Sequence, residues 1–322
     1  MLLRYAVRRF LIAIPIALGV TVITFFLMMD SIGNYIPGLE INSTTSAADI
    51  QRLRVAMGLD QPIYLQYLHW LGRVVQGNFG NSLVDGSPVT GLIGQTLPNT
   101  LELVLTAIVL ALVLAIPVGT ISAWRRGTSI DHLLTALSVA GYAIPQFWLG
   151  LVMVLLFSVS FEAWGLPWLP AGGAYSVGDG SLGDRLVHLV LPSLVLAFLY
   201  LSIWSRYTRS SLIETLANDY IRTARAKGMS QRRVLFVHAL RNALLPLVTL
   251  IGLQLPALVS GSVVIEVIFN WPGMGRLAYS RALEYDYTTV LGITTFATVV
   301  VVLGNLAADL AYAVLDPRIR HG

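Results

Sequence analysis

Asp219-Tyr220-Ile221-Arg222-Thr223-Ala224-Arg225-Ala226-Lys227-Gly228 is the stretch on which the fold turns. It lies in a basic segment, Arg206 to Arg241, between two apolar runs that are each long enough to cross a bilayer. The stretch reads as a helix that stops at a glycine, with Ser230 capping a second helix just beyond it. Ile213, Leu216, Ala217, Tyr220, Ile221 and Ala224 recur at helical spacing. That pattern predicts one face packed on membrane helices and a row of arginines turned to the cytoplasm. Such a surface suits docking to a soluble protein.

The composition of the chain puts this segment in a membrane. Of 322 residues, 56% are hydrophobic and 12% charged, with a mean hydropathy of +0.72. Soluble domains average about a quarter charged residues, so one soluble core could not hide this much apolar surface. The reading is an all-α integral membrane protein with a single transmembrane domain over residues 1–322. Six apolar runs approach or exceed the roughly 20 residues that a hydrocarbon core demands. They are Phe10–Met29, Leu103–Ala123, Leu133–Phe161, Leu186–Trp204, Ala243–Phe269 and Thr288–Leu315. The first is too long for the apolar core of a cleavable signal and reads as a retained anchor. Prolines interrupt the runs at Pro15, Pro117, Pro145, Pro192, Pro246 and Pro256, which membrane helices tolerate where neighbours satisfy the freed carbonyls.

Positive charge sets the orientation. With the N-terminus inside, the inner segments hold fifteen of the 21 basic residues and the outer ones six. Both termini and the Arg206–Arg241 segment are therefore expected in the cytoplasm. The same clustering at span ends accounts for the net charge of +4 without nucleic acid, which is not expected as a partner. Residues 30–99 form a long external region between the first two spans. In it Ile63 to Leu71 predicts a short amphipathic helix, Gly77-Asn78-Phe79-Gly80 a turn, and Ile41 to Ala48 a mobile loop. The region is expected to pack on the outer ends of the spans. No internal repeat holds at a fixed period.

The chemistry is defined by what is missing. Lys227 is the only lysine and is followed by Gly228 and Met229, which excludes a Gly-Lys-Ser/Thr phosphate loop. There is no cysteine, hence no thiolate site. The five histidines, His69, His132, His188, His238 and His321, lack a metal-binding spacing. Ser260-Gly261-Ser262 lacks the Gly-x-Ser-x-Gly frame of a serine nucleophile. Three carboxylates, Glu102, Glu266 and Asp309, come close to the spans, all near their ends. A proton-coupled secondary transporter, the rival from another class, would place carboxylates nearer the midplane. An external driving force is the better expectation.

Several motifs together closely resemble the dipeptide and oligopeptide permeases of ABC importers. Besides the opening stretch they are His238-Ala239-Leu240-Arg241-Asn242-Ala243-Leu244-Leu245-Pro246, Gly58-Leu59-Asp60-Gln61-Pro62, Gly77-Asn78-Phe79-Gly80, Ile144-Pro145-Gln146-Phe147-Trp148-Leu149-Gly150, Trp271-Pro272-Gly273-Met274-Gly275 and Leu315-Asp316-Pro317-Arg318. They cover nearly the whole chain in the right order. The wider superfamily carries Glu-Ala-Ala-x-x-x-Gly in the cytoplasmic loop. Here Arg222 and Thr223 replace the first two residues and Ala224 and Gly228 match, as in the peptide-importer subgroup. The Gly228 to Leu245-Pro246 spacing is also longer than usual, as in that subgroup.

The resemblance implies a type I ABC importer permease fold with a cytoplasmic coupling helix. It implies a second homologous permease subunit, two cytoplasmic ATPases that bind ATP and Mg, and an external peptide-binding protein. No cofactor is then expected on this chain, which is a transport subunit of a bacterial or archaeal cytoplasmic membrane and not an enzyme. Related permeases also serve nickel chelates, glutathione or oligosaccharides. The candidate coupling surface is Asp219, Tyr220, Arg222, Thr223, Ala224, Arg225, Lys227 and Gly228. Ala224 would allow close approach, and the arginines would pair with acidic groups. Gln146, Phe147, Trp148, Glu266, Trp271, Pro272, Gly273 and Gly275 are candidates for the translocation path or outer gate.

Overall fold

Eleven helices account for the regular structure of the described residues in the computed structural model, which are 2–34, 60–248, 250–252 and 263–315. No β-strand occurs among them, only an isolated bridge between Asn81 and Pro88. The helices are α1 (Leu2–Asn34), α2 (Ile63–Val75), α3 (Val89–Trp124), α4 (Ser129–Ala143), α5 (Gln146–Ala163), α6 (Leu182–Leu216), α7 (Asp219–Ala226), α8 (Gln231–Gly252), α9 (Val263–Ile268), α10 (Met274–Leu283) and α11 (Tyr287–Leu315). Parts of α5 and α8, Leu155–Ser160 and Val234–Ala239, are wound as π-helix. Stretches of α1, α3, α5, α6, α8 and α11 are long and apolar enough to cross a membrane, six as expected. The expectations for residues 41–48, Gly58, Leu59, Pro256, Ser260-Gly261-Ser262, Asp316 to Arg318 and the side chain of Asp309 fall outside the described residues.

Three boundaries differ from the apolar runs. The third run is not one helix. Pro145 disfavours helical geometry at Ile144, which has ψ 124°, and the chain is extended at both residues before α5 begins. The helix of the second run, α3, starts at Val89, not Leu103, so the end of the 30–99 region already belongs to it. The basic segment shrinks to a corner at 217–230, because α6 runs on to Leu216 and α8 starts at Gln231. Apolarity marks where lipid touches a helix, and backbone hydrogen bonding carries the helix past that point into water.

The chain divides into two compact units, one of residues 1–100, 259–263 and 273–322, the other of 101–258 and 264–272. In the first, α1 packs along α11, and α2 lies against α1 through Phe25, Trp70 and Leu291, flanked by Met29, Tyr67, Leu71 and Val74. The Phe25 ring sits 5.3 Å from Trp70 and 5.4 Å from Tyr67. Gly77, at φ +81°, ends α2 with Gly77 N–H on Val74 O and Asn78 N–H on Arg73 O, as the turn reading expected. Beyond it, Arg281 of α10 grips Asp85, whose carboxyl the backbone N–H of Ser87 and the guanidinium pull down to about 2, fully ionised at neutral pH.

In the second unit, α6 packs against α4 and α5 and, further along, against α8. Glycine sets the helix spacing there. A Cβ on Gly119 of α3 would lie 2.5 Å from the Ser205 carbonyl oxygen and 2.7 Å from Thr208 Cβ. Gly119→Val is therefore expected to overpack this crossing and to cost about 1–3 kcal/mol. Thermal unfolding in detergent measures it, and an unchanged midpoint would refute the close approach.

Candidate functional site

The corner between α6 and α8 is built from two opposite faces of α7. Ile221 and Ala224 are buried in a cluster with Ala123, Leu212, Val234, Leu235, Ala239 and Ala243, with Ile213, Leu216 and Met229 packed on it. Eight residues make barely two turns, too short to be stable alone, so this burial holds the helix. The other face is charged and exposed. Asp219, Arg222, Thr223, Arg225, Lys227 and Gly228 are all exposed, as are Arg232, Arg233 and Arg241 nearby. Arg222 Nη1 reaches Asp219 Oδ1 at 3.2 Å, in an exposed pair that adds little stability but leaves the surface net positive.

Both ends of α7 have defined geometry. Asn218 is its N-cap residue, and Ile221 and Arg222 donate backbone bonds to the Asn218 carbonyl. At the other end Gly228 has φ +75°, with Gly228 N–H on Arg225 O at 2.9 Å and Met229 N–H on Ala224 O at 3.4 Å. That is a Schellman closure, which needs a left-handed residue where glycine stands. Ser230 occupies the N-cap position of α8 but its side chain makes no cap hydrogen bond.

Two details depart from the sequence reading. The apolar positions from Ile213 to Ala224 do not lie on one helix, because the chain turns at Ala217 and Asn218 and leaves Ala217 and Tyr220 exposed. Ala224 offers no contact surface, being only 7% exposed and turned into the chain's own core. Tyr220 instead accepts a hydrogen bond from Asn242 Nδ2 at 2.9 Å and borders a groove with Val237, His238, Arg241 and Leu245. A second groove, flanked by Trp124, Leu216, Arg225 and Gln231, opens on the other side of α7. Neither groove was visible in the sequence.

The residues put forward for the path are spread over both units. At the break before α5, Phe147 and Trp148 are each 51% exposed, and Gln146 Nε2 is buried without a hydrogen-bond partner. Glu266 and Trp271 are wholly buried in the second unit. There α9 closes on Asn270 at φ +49°, with Trp271 N–H on Glu266 O at 2.8 Å. Pro272 is half-buried and belongs to the same unit, whereas Gly273 and Gly275 are buried in the first. Glu102 accepts both oxygens' worth of bonds from Arg185, whose guanidinium lies 5.1 Å from the Tyr175 ring and 5.3 Å from the Trp271 ring. The pair ties Glu102 of α3 to Arg185 of α6 within the second unit.

A positive helical corner, seated on a buried cluster and closed by a left-handed glycine, is joined to two of the helices long and apolar enough to cross a membrane. Comparison with known proteins adds the lineage. Residues 115–321 match the family of binding-protein-dependent transport system inner membrane components, and residues 2–106 match the N-terminal part of such membrane components. The chain belongs to this family. It is 46% identical to an oligopeptide transport system permease protein of Bacillus subtilis, over 98% of this chain and 99% of that protein. It is 37% identical to a dipeptide transport system permease protein of Escherichia coli and 38% identical to a di/tripeptide one of Pseudomonas aeruginosa, over 99% of every chain concerned. The permease is thus a multi-pass membrane protein with the type I ABC permease fold, a transport subunit and not an enzyme. Membership brings an ATPase and a substrate-binding protein as partners.

Proposed function

We propose that this permease forms half of the translocation path for di- and oligopeptides delivered by an external binding protein. A second homologous permease supplies the other half, and two cytoplasmic ATPases bind ATP and Mg and drive the cycle. The assembly lies in the cytoplasmic membrane of a bacterium or archaeon. The observation that carries this reading is α7, whose exposed residues Asp219, Arg222, Thr223, Arg225, Lys227 and Gly228 present a net positive surface over a buried cluster. Such a surface complements acidic groups on a soluble partner. Closure of the ATPases would push α7 and swing the spans between inward-open and outward-open states. The names of the relatives support peptides as the substrate.

The test is purification of the tagged permease from mild detergent, with its companions identified by mass and ATP hydrolysis measured with and without loaded binding protein. A second permease, phosphate-loop ATPases and stimulated hydrolysis are expected. A lone chain that moves solute on a proton gradient would refute the reading.

A further inference from the structure

The seam between α4 and α6 is ionic at the end nearest α7 and closes to glycine contact at the other. Asp131, in the first turn of α4, has a side chain only 3% exposed. Arg209 of α6 meets both of its oxygens, Nε to Oδ1 at 2.7 Å and Nη2 to Oδ2 at 2.8 Å. Ser122 Oγ of α3 donates to the same carboxylate at 2.5 Å, and the Gly127 backbone N–H at 2.9 Å. Further along, Ser138 Oγ and Ser205 Oγ stand 3.0 Å apart, and a Cβ on Gly141 would collide with Ser202.

Positions 131, 138 and 141 thus meet 209, 205 and 202, which makes the helices antiparallel neighbours in register. Past Gly141, α4 ends at Ala143, beside the break at Pro145. Arg209 lies seven residues before the end of α6, where the chain turns into α7, a rise of about 10 Å.

We propose that Asp131 and Arg209 are positioning residues of the transport cycle, which make α4 and α6 move as one block, so that a displacement of α7 reaches the break at Pro145. The proposal rests on the reading of α7 as the ATPase contact. Apolar packing alone would let the helices slide, because it is non-directional. A bidentate pair fixes register, since any shift strands a buried carboxylate.

The test uses the whole complex, reconstituted in liposomes, with the binding protein loaded from a mixture of alanine di- and tripeptides. Asp131→Asn is expected to assemble with the normal subunit ratio and to hydrolyse ATP, while uptake per ATP falls at least tenfold. An unchanged ratio overturns the proposal, and so does a loss of uptake and hydrolysis in proportion to lost complex, which marks a merely structural pair. A second measurement uses the absence of native cysteine. Oxidative cross-linking of Ser138→Cys to Ser205→Cys is expected to leave uptake intact, because helices that move together tolerate a bond between them. Uptake blocked by oxidation and restored by reductant overturns the proposal. A wild-type preparation without ATPases would sink the reading of α7 itself, before any variant is compared.

Discussion

Gly228→Pro and Gly228→Glu are expected to reduce peptide uptake to background while the permease stays in the membrane at its normal level. Gly228 closes α7 at φ +75° through its own N–H, held by Arg225 O. Proline is locked near −65° and has no N–H, so it removes both the conformation and the bond. Glutamate keeps the bond but pays about 1–2 kcal/mol for left-handed geometry and puts a negative charge on a positive surface. Neither cost approaches that of unfolding six spans, so the damage stays local. It falls on Arg225 and Lys227, whose exposed side chains lie within three residues of the closure. Gly228→Ala should show a partial loss, since it carries the backbone cost without the charge. Uptake assays beside membrane immunoblots decide the matter, and normal uptake by the proline variant would refute a coupling role for this end of α7.

Asp286→Ala is expected to be the most destabilising single change in the first unit. The carboxylate is fully buried and serves two segments at once. It caps α11 by accepting from Thr289 N–H at 3.2 Å and Thr289 Oγ1 at 2.7 Å. It also accepts from Ser82 Oγ at 2.6 Å and Leu83 N–H at 3.0 Å, which pins the loop before α3 to the α10–α11 corner. Tyr285, just before it, is held at φ +58°, a strained geometry for a tyrosine that the surrounding bonds must enforce. Removal of the carboxylate strands four donors and a helix end. The cost is about 3–5 kcal/mol, as for a broken buried charge network. At about 2–4 °C per kcal/mol, the midpoint in detergent should fall by roughly 6–20 °C. Asp286→Asn, which keeps the volume and one acceptor, should lose less than half of that. An alanine variant that melts within two degrees or so of the wild type would show that the cluster is not what holds this corner.

The spans and α7 were legible because their signals are local. Lipid selects for unbroken apolarity, and a helix end needs its glycine within a few residues of the helix it closes. The ends of the spans were less legible. Arg206, Arg209 and Glu214 look like a loop by composition, yet all three continue α6, because a helix leaving the bilayer keeps its hydrogen bonds in water. Pro145 was visible, but whether a membrane proline kinks a helix or breaks it depends on what its neighbours supply.

Read alone, the order of the residues was enough for a six-span membrane protein with a basic, glycine-terminated helix between the fourth and fifth spans, since each of those features is a pattern among near neighbours. The direction in which Ala224 points, the pairing of Asp131 with Arg209 and the joining of Asp286 to Ser82 belong to the folded chain. Their partners lie 78 and 204 positions apart. A carboxylate accepts from any donor that packing brings within about 3 Å, and nothing in the adjacent residues says which segment that will be.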